Sequence, residues 1–162
     1  MICIIAALGE NGVIGSKKGL PWDIPEEYAQ FLNQVRGNTV IMGRVSWEIF
    51  GADLPETRFI VVSSSRAESK GVKTVASIEE AVQAAKTFPE PIFIAGGAKI
   101  YKAGLKFADE MHLSFIKGKH SGNVFFPDFN QDDWIITKTE DHREFIYREY
   151  SRTKWRSHVI VK

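Results

Sequence analysis

The sequence predicts an α/β protein with a mostly parallel sheet that ends in antiparallel strands. Short, continuous apolar runs such as ICIIAAL and PIFIA alternate with helical patterns, as they do in βαβ units. In the last third of the chain the runs EMHLSFIKG, DWIITKTED and EFIYREY follow one another without intervening helices. Runs of this longer, alternating kind are typical of antiparallel strands.

The first half of the chain alternates strands and helices. ICIIAAL is apolar at successive positions, which predicts a strand buried on both faces. Pro25 suits the first turn of a helix, because its missing N–H would have no partner there. The spacing i, i+3, i+4, i+7 predicts that the buried stripe of this helix is Tyr28, Phe31, Leu32 and Val35. TVIM and RFIVV are predicted strands, with GRVSWEIF as a short helix between them.

The second half continues the same alternation. A weaker strand is predicted from Val72 to Val75, followed by the helix SIEEAVQAAK. Ser77 and Glu80 at the start of that helix have the spacing of a capping box. PIFIA is a further buried strand, and GGAKIYKAGL opens the next helix.

Composition and charge indicate an ordinary globular protein. The 162 residues are enough for one domain with a real core, and we expect that domain to span residues 1–162. A net charge of +1 favours neither nucleic acid nor a membrane surface as a partner. The first apolar run is too short for a membrane span and follows no basic segment, so we expect a cytoplasmic protein. The lone Cys3 excludes an intrachain disulfide.

Basic residues are frequent between Arg143 and Lys162, where they alternate with aromatic and aliphatic residues. This pattern predicts the solvent side of antiparallel strands, with a polyanion-binding surface as the alternative. The pairing of the last segment, RTKWRSHVIVK, stays open between a partner of the preceding strand and an additional strand.

Two adjacent carboxylates open the helix that begins at Pro25. Both Glu26 and Glu27 complement the positive end of a helix, which is their simplest interpretation. At roughly 100° per residue, Glu26 lies on the polar face, whereas Glu27 lies only about 40° from Phe31. We therefore expect Glu26 to face solvent and Glu27 to border apolar surface.

Three predicted strands end in residues suited to binding phosphate. Gly96 and Gly97 follow a buried strand and open a helix, so that a pyrophosphate could approach the backbone closely. The second feature is the turn with Gly43, Arg44 and Ser46. The third is a strand end rich in hydroxyl groups, which suits the 2′-phosphate of NADP and consists of Ser63, Ser64, Ser65 and Arg66. Each feature alone also fits an ordinary turn, but three of them at strand ends favour a dinucleotide site.

Other motifs are weaker. GENGVIG has the spacing G-x-x-G-x-x-G rather than that of the dinucleotide fingerprint, so we expect a mobile loop there. Asp23 is expected to cap the helix at Pro25. The four histidines, His112, His120, His142 and His158, have no metal-ligand spacing, and we expect no metal.

The chain resembles the dihydrofolate reductase family over essentially its whole length. The blocks that carry the resemblance are IIAALGENGVIG, LPWDIPEEYAQF, VIMGRVSWEIFG, LPETRFIVVSS, IAGGAKIY and GNVFFPDF. It implies an eight-stranded, mostly parallel sheet flanked by helices. It also implies a monomer that reduces the small molecule 7,8-dihydrofolate to tetrahydrofolate, with NADPH delivering hydride to C6 and a proton reaching N5.

The resemblance also implies roles for individual residues. Glu27 is implied as the active-site carboxylate, Trp22 closes the site beside the mobile loop and holds a water, and Tyr101 lies beside the nicotinamide. The implied substrate-binding residues are Ile5, Ala6, Ala7, Glu27, Phe31, Phe50, Leu54 and Ser114, the last bracing the carboxylate. The implied cofactor-binding residues are Ala7, Ile14, Gly15, Ser16, Gly43, Arg44, Val45, Ser46, Ser63, Ser64, Arg66, Gly96, Gly97, Ala98, Lys99, Ile100 and Tyr101.

The chain departs from the family pattern where the family usually has an arginine that grips the substrate's glutamate tail. Thr57 stands there, and the arginine is one residue later at Arg58, which a strand would point to the opposite face. Ala95 is smaller than the usual branched residue, which predicts a wider cleft. Ser114 and Asn123 replace the commoner threonine and aspartate.

Two other functions stay open at this point. One is a pterin or pyrimidine reductase of similar fold, acting on a substrate without a glutamate tail, which the missing arginine favours. The other is a non-catalytic NADP-binding protein. Glu27 beside Phe31 speaks against the latter, because a protein that only binds has no need to desolvate a carboxylate.

Overall fold

A computed structural model of the chain describes residues 1–15, 20–65 and 71–153. The helices are α1 Pro25–Val35, α2 Arg44–Phe50, α3 Ile78–Ala85 and α4 Ala98–Gly104. The strands are β1 Ile2–Gly9, β2 Val13–Gly15, β3 Thr39–Gly43, β4 Arg58–Val62, β5 Val72–Val75, β6 Ile92–Ile94, β7 Glu110–Ile116, β8 Val124–Phe125, β9 Trp134–Asp141 and β10 Phe145–Arg152. Short 3₁₀ turns lie at Gly51–Asp53, Leu105–Phe107 and Gln131–Asp133.

Eight strands form one sheet in the order β5-β4-β3-β6-β1-β7-β10-β9. The pairs from β5 to β7 are parallel, and β10 runs antiparallel to both β7 and β9. The predicted fold class, a mostly parallel sheet with an antiparallel C-terminal part, is therefore confirmed. This order also places the carboxyl ends of β4, β3, β6 and β1 side by side along one edge.

Strand β1 is buried on both faces, as its continuous apolar run predicts. Ile4 packs into the apolar core on one face of the sheet, and Cys3 and Ile5 pack into the core on the other face. Side chains of a strand alternate between faces, so a strand between two cores needs apolar residues at every position. Helices α1 and α3 contribute to opposite cores through Val35 and Val82.

The helix starts follow the predicted signals in one case and depart from them in another. At α3 the Glu80 N–H donates to Ser77 Oγ at 3.2 Å, which confirms the capping interaction. At α1 the prediction that Asp23 caps the helix is wrong. The N-cap residue is Ile24, and among the described residues no side chain caps this end. Ile24 is buried, so the chain enters α1 through an apolar contact rather than through a polar cap.

A two-stranded sheet lies where the sequence predicts only a loop. Within GENGVIG, residues Val13–Gly15 form β2 and pair with β8, Val124–Phe125. Val13 is fully buried, which explains why this part of the segment is ordered into a strand. Strands of two or three residues are too short to show an alternating pattern. The rest of the expected mobile loop, residues 16–19, lies outside the described residues.

The two arginines of β10 place their guanidinium groups over aromatic rings. The Arg148 guanidinium carbon lies 5.3 Å from the centre of the Phe115 ring, and that of Arg152 lies 4.4 Å from the Trp134 ring. The pairing of RTKWRSHVIVK beyond Thr153 lies outside the described residues. None of the described helices is long and apolar enough to cross a membrane.

Candidate functional site

A cleft opens at the carboxyl ends of β1, β3 and β6, bounded by α1 on one side and by the start of α2 on the other. Ligands of open α/β sheets bind at this edge. The described residues that line the cleft are Ile5, Ala6, Ala7, Ile14, Leu20, Glu27, Tyr28, Phe31, Ser46, Phe50, Ala95, Gly96, Gly97 and Tyr101. The cleft thus brings together eleven of the sequence-predicted site residues.

Glu27 is the buried carboxylate of this cleft. Only 7% of it is exposed, so it is more buried than Tyr28 and Phe31 on the same helix face. Burial raises the pKa of Glu27, and a hydrogen bond from the Ser114 side chain acts in the opposite direction. The expectation that Glu27 borders apolar surface is confirmed. Glu26 is exposed, as expected, and accepts a hydrogen bond from the His142 ring at 2.9 Å.

The apolar stripe of α1 is only partly buried. Val35 is fully buried in the core, whereas Tyr28, Phe31 and Leu32 are half-buried. The reason is that this face of α1 forms a wall of the cleft over its first turns and reaches the core only at its end. A stripe that looks like a core face in the sequence is therefore divided between cleft and core.

Tyr101 connects α4 to the floor of the cleft. Its hydroxyl donates to the backbone carbonyl of Ile5 at 2.8 Å, and the whole side chain is buried. Burial raises the pKa of Tyr101, and the nearby charge of Glu27 raises it further. The phenol therefore stays protonated, and its O–H remains a hydrogen-bond donor at neutral pH.

Trp22 stands at the outer side of Glu27, where both residues line a groove that continues from the cleft. The ring is half-buried and meets His120 edge-on, with ring centres 5.4 Å apart. Within the described part of the chain, its buried Nε1–H has no hydrogen-bond acceptor. A buried donor without a protein acceptor suits a small polar group or a water held beside Glu27.

The glycine turn after β6 packs closely against the end of β3. Gly43 N–H donates to Gly96 O at 2.8 Å, which holds the two strand ends together. Gly96 has φ +111°, and a Cβ there would lie 3.2 Å from Ser46 Oγ and 3.4 Å from the Tyr101 hydroxyl. Gly96 is therefore required both by its backbone conformation and by the space around it. The turn leaves bare backbone facing the cleft, which fits a pyrophosphate.

The remaining predicted cofactor residues lie along the same edge of the sheet or close to it. Arg44 pairs with Glu48 at 2.7 Å, Val45 is 59% exposed, and Ser64 is exposed beyond β4. Gly15 ends β2, Ser63 follows β4, and Ala98, Lys99 and Ile100 form the first turn of α4. The predicted residues Ser16 and Arg66 lie outside the described residues. Exposed hydroxyls and a guanidinium at neighbouring strand ends fit the phosphates and adenosine of a dinucleotide.

Two predicted substrate residues lie away from the cleft surface. Leu54 is fully buried in the core with Val35 and Phe59 and is not among the residues that line the cleft, so its role in substrate binding stays a prediction. It follows the 3₁₀ turn after α2, which rotates its side chain inward. Ser114 lies behind Glu27 rather than on the surface and contacts the carboxylate from β7.

Two residues of the cleft, Leu20 and Tyr28, are missing from the sequence-based set. Ala95, whose small size predicts a wider cleft, also lines it. Tyr28 was assigned to the buried stripe, although its place beside Glu27 on the helix is a signal that it faces the same cavity. Ala95 directly precedes the glycine turn, and its position in the chain points to the cleft. Leu20 directly follows residues 16–19, which lie outside the described residues, and has no sequence signal of its own.

A second group of polar side chains lies outside the cleft. One ligand atom each from Cys3, Glu110 and His112 falls within 4.8 Å of the others. The His112 ring is already engaged, with Nδ1 at 2.7 Å from Gln34 Oε1 and Nε2 at 3.2 Å from Glu110 Oε1. Burial raises the pKa of the Cys3 thiol, which opposes formation of the thiolate that binds metal. We therefore assign no metal to this group.

Comparison with known proteins gives one consistent result. The family model described as dihydrofolate reductase matches residues 1–155. Dihydrofolate reductase of Bacillus subtilis is 33% identical over 141 residues, covering 86% of this chain and 83% of the relative. That of Haemophilus influenzae is 37% identical over 133 residues, covering 82% of each. A solved structure of dihydrofolate reductase from Enterococcus faecalis, complexed with NADP(H) and RAB-propyl, superposes with a TM-score of 0.86 at 28% identity, covering 95% of this chain and 97% of that one.

Proposed function

This chain belongs to the dihydrofolate reductase family, and we propose how its own residues carry out the reduction of 7,8-dihydrofolate to tetrahydrofolate. The reaction adds a hydride to C6 and a proton to N5 of the pterin. The hydride comes from NADPH when this cofactor is bound. The protein must therefore hold two ring systems in contact, exclude water and manage one proton.

The observation that carries the proposal is the burial of Glu27 at the floor of the cleft. By family resemblance, this carboxylate hydrogen-bonds the amino group and a ring nitrogen of the pterin and supports protonation of N5. Burial raises its pKa, so that the group is closer to holding a proton at neutral pH than an exposed glutamate is. Ser114 holds the carboxylate in place from β7.

The other cleft residues position the substrate and exclude water. Phe31 and Phe50 form an edge-to-face aromatic pair with ring centres 6.3 Å apart, and we assign this pair to the apolar wall that contacts the substrate. Ile5, Ala6 and Ala7 form the β1 wall. Trp22 holds a water beside Glu27 through its buried Nε1–H, which provides a path for the proton.

The cofactor is assigned to the edge formed by β4, β3 and β6. Its pyrophosphate would contact the Gly96–Gly97 turn and the first turn of α4, and its adenosine end would contact the residues that follow β3 and β4. Tyr101 lies between this turn and Ile5, which supports its assignment to the point where the nicotinamide would meet the substrate. Ser16 and Arg66 lie outside the described residues, so their proposed contacts with the cofactor rest on the family resemblance alone.

The test is the loss of NADPH absorbance when 7,8-dihydrofolate is added, run beside dihydropteroate, which lacks the glutamate. We expect turnover of dihydrofolate by the native chain and loss of most of it in Glu27→Gln at neutral pH, with the fold retained in its circular dichroism spectrum. Near-native turnover by Glu27→Gln would refute the role given to this residue. NADPH binding without turnover of either pterin would refute the reductase assignment.

We further propose that the protein is a cytoplasmic monomer. Its exposed large apolar side chains, among the described residues, are spread over the N-terminus, the segment before α1, and α2, β8 and β9. Scattered exposed apolar residues do not form the contiguous patch that a stable dimer buries. Cys3 is a buried free thiol, which suits a reducing compartment. Light scattering of the purified protein and fractionation of its host cells test the two statements.

A further inference from the structure

A groove leads from the cleft toward solvent between α1 and the end of α2. Leu20, Glu27, Tyr28 and Phe50 line both the cleft and the groove, so the two are continuous. A substrate whose ring lies at Glu27 and whose other end leaves the cleft on this side must pass along the groove. The groove is therefore a path that the distal end of the substrate can follow.

The charged residues that line this groove, in the described part of the chain, are all acidic. They are Asp23, Glu27 and Asp53. Glu27 belongs to the cleft floor, whereas Asp53 is exposed at the opposite end, in the 3₁₀ turn after α2. An anionic group that leaves the cleft thus meets a carboxylate at the groove mouth.

Asp53 is held in position by Tyr28. The Tyr28 hydroxyl donates a hydrogen bond to Asp53 Oδ2, joining the α1 wall to the wall formed by the turn after α2. The Tyr28 ring stacks on Phe31 with centres 6.0 Å apart. Burial, the hydrogen bond and the charge of Asp53 all raise the pKa of Tyr28, so the hydroxyl keeps its proton and continues to donate. The carboxylate at the groove mouth is therefore fixed rather than free to turn away.

The nearest arginine in the sequence does not offset this charge. The Arg58 guanidinium donates to Thr39 Oγ1 at 3.2 Å and lies 4.1 Å from the centre of the Phe88 ring. Thr57 is buried, and its hydroxyl accepts a hydrogen bond from Gly37 N–H. Neither residue is among those that line the groove. The expectation that Arg58 points away from the site is confirmed.

We propose that Asp53, positioned by Tyr28, selects substrates by the charge of their distal end and disfavours pterins that carry an anionic tail. The inference rests on the proposed function, because dihydrofolate carries two carboxylates at the end remote from its ring. Like charges at an exposed site repel one another modestly, and salt screens them. The discrimination is therefore expected to be about two- to fivefold.

The experiment compares 7,8-dihydrofolate with its dimethyl ester, which has nearly the same length but no negative charge. For each enzyme the measured quantity is the ratio of kcat/KM for the ester to kcat/KM for dihydrofolate. At low ionic strength this ratio is expected to be about two to five for the native chain and about one for Asp53→Asn. In about 1 M salt the native ratio also falls toward one.

Two matched variants separate charge from other effects. Glu56→Gln removes an exposed carboxylate close by in the chain that does not line the groove, and its ratio should equal the native one. Tyr28→Phe removes the bridge but keeps the charge of Asp53, so its ratio should fall between the native value and that of Asp53→Asn. A native ratio in Tyr28→Phe would overturn the positioning role given to Tyr28.

Two further outcomes contradict the proposal. One is a native preference for dihydrofolate over the ester, and the other is an unchanged ratio in Asp53→Asn. If neither compound is reduced, the proposed function fails, yet Asp53 is still tested. The ratio of dissociation constants for the two compounds, measured by quenching of tryptophan fluorescence, must then shift in Asp53→Asn and remain native in Glu56→Gln.

Discussion

The Ser114 side chain hydrogen-bonds the Glu27 carboxylate, so a strand of the sheet supports the one buried acid of the cleft in the described structure. Ser114 lies in β7 opposite Ala7 of β1 and Tyr147 of β10, where the surrounding strands fix its position. Two opposing effects act on the carboxyl group. Burial favours its protonated form, and the hydrogen bond favours its ionised form, with burial the larger effect.

Replacement of Ser114 should move the pH dependence of catalysis. In Ser114→Ala the hydrogen bond that favours ionised Glu27 is lost, so the pKa of Glu27 rises further. If protonated Glu27 supports catalysis, the alkaline limb of kcat/KM then shifts to higher pH. Ser114→Thr keeps a hydroxyl and should retain the native profile. Coincident profiles for all three proteins would show that Ser114 has no influence on the titrating group.

Glu27 should make the stability of the protein dependent on pH. Its pKa is raised in the folded state, so folding is favoured by its protonated form. The contribution is fully present below the ordinary pKa of a glutamate and is lost as pH rises through the raised pKa. Glu27→Gln lacks this titration and is expected to be more stable than the native protein at alkaline pH. The difference should shrink toward acid pH in urea unfolding curves, and a difference that is constant with pH would contradict the assignment.

A methyl group at Gly96 should damage both the fold and cofactor binding. Gly96→Ala forces an L-residue to φ +111° and places Cβ 3.2 Å from Ser46 Oγ, at an expected cost of about 1–3 kcal/mol. Gly97→Ala is the matched control, because a Cβ there lies 3.6 Å from the same atom, which is ordinary contact. Thermal unfolding and NADPH titration should show a loss for Gly96→Ala that clearly exceeds the loss for Gly97→Ala. Equal losses would mean that the conformation of Gly96 is not the limiting factor.

The hydroxyl of Tyr101 should contribute to stability as well as to the site. Tyr101→Phe leaves the buried Ile5 carbonyl without this donor, which is expected to cost about 1–3 kcal/mol. Tyr28→Phe removes a hydroxyl whose hydrogen bond to Asp53 is exposed to solvent, and should cost less than about 1 kcal/mol. Urea denaturation of both variants checks the difference. A Tyr101→Phe protein as stable as the native one would show that another donor satisfies Ile5.

Most of the fold follows from patterns that the sequence displays locally. The parallel strands are continuous apolar runs, and Ser77 with Glu80 marks the start of α3. The two short strands β2 and β8 could not be predicted, because they depend on a distant pairing between Val13–Gly15 and Val124–Phe125. Asp23 shows the converse error, since a favourable residue type does not cap a helix when buried Ile24 determines how the chain enters it.

The site was predictable where a residue has a conformational reason for its identity. The Gly96–Gly97 turn is such a case, because φ +111° at Gly96 disfavours any side chain and a Cβ there would lie only 3.2 Å from Ser46 Oγ. Tyr28, which the helical spacing assigns to the core, lines the cleft, whereas Leu54, which the family resemblance assigns to the cleft, packs in the core of this structure. Both are apolar or aromatic residues near the cleft, and only the rotation of α1 and of the turn after α2 decides which one faces it.

The order of the sheet has a consequence for how the protein acquires activity. Strand β6, Ile92–Ile94, lies between β3 and β1, which precede it in the chain, and it carries the glycine turn that contacts Gly43. A nascent chain that has not yet emerged beyond β6 therefore contains Glu27 and Gly43 but no assembled cleft. Long-range insertion of this kind is intrinsically slow. During refolding, turnover should accordingly recover only after β6 has paired with β3 and β1, which is later than the formation of the local helices.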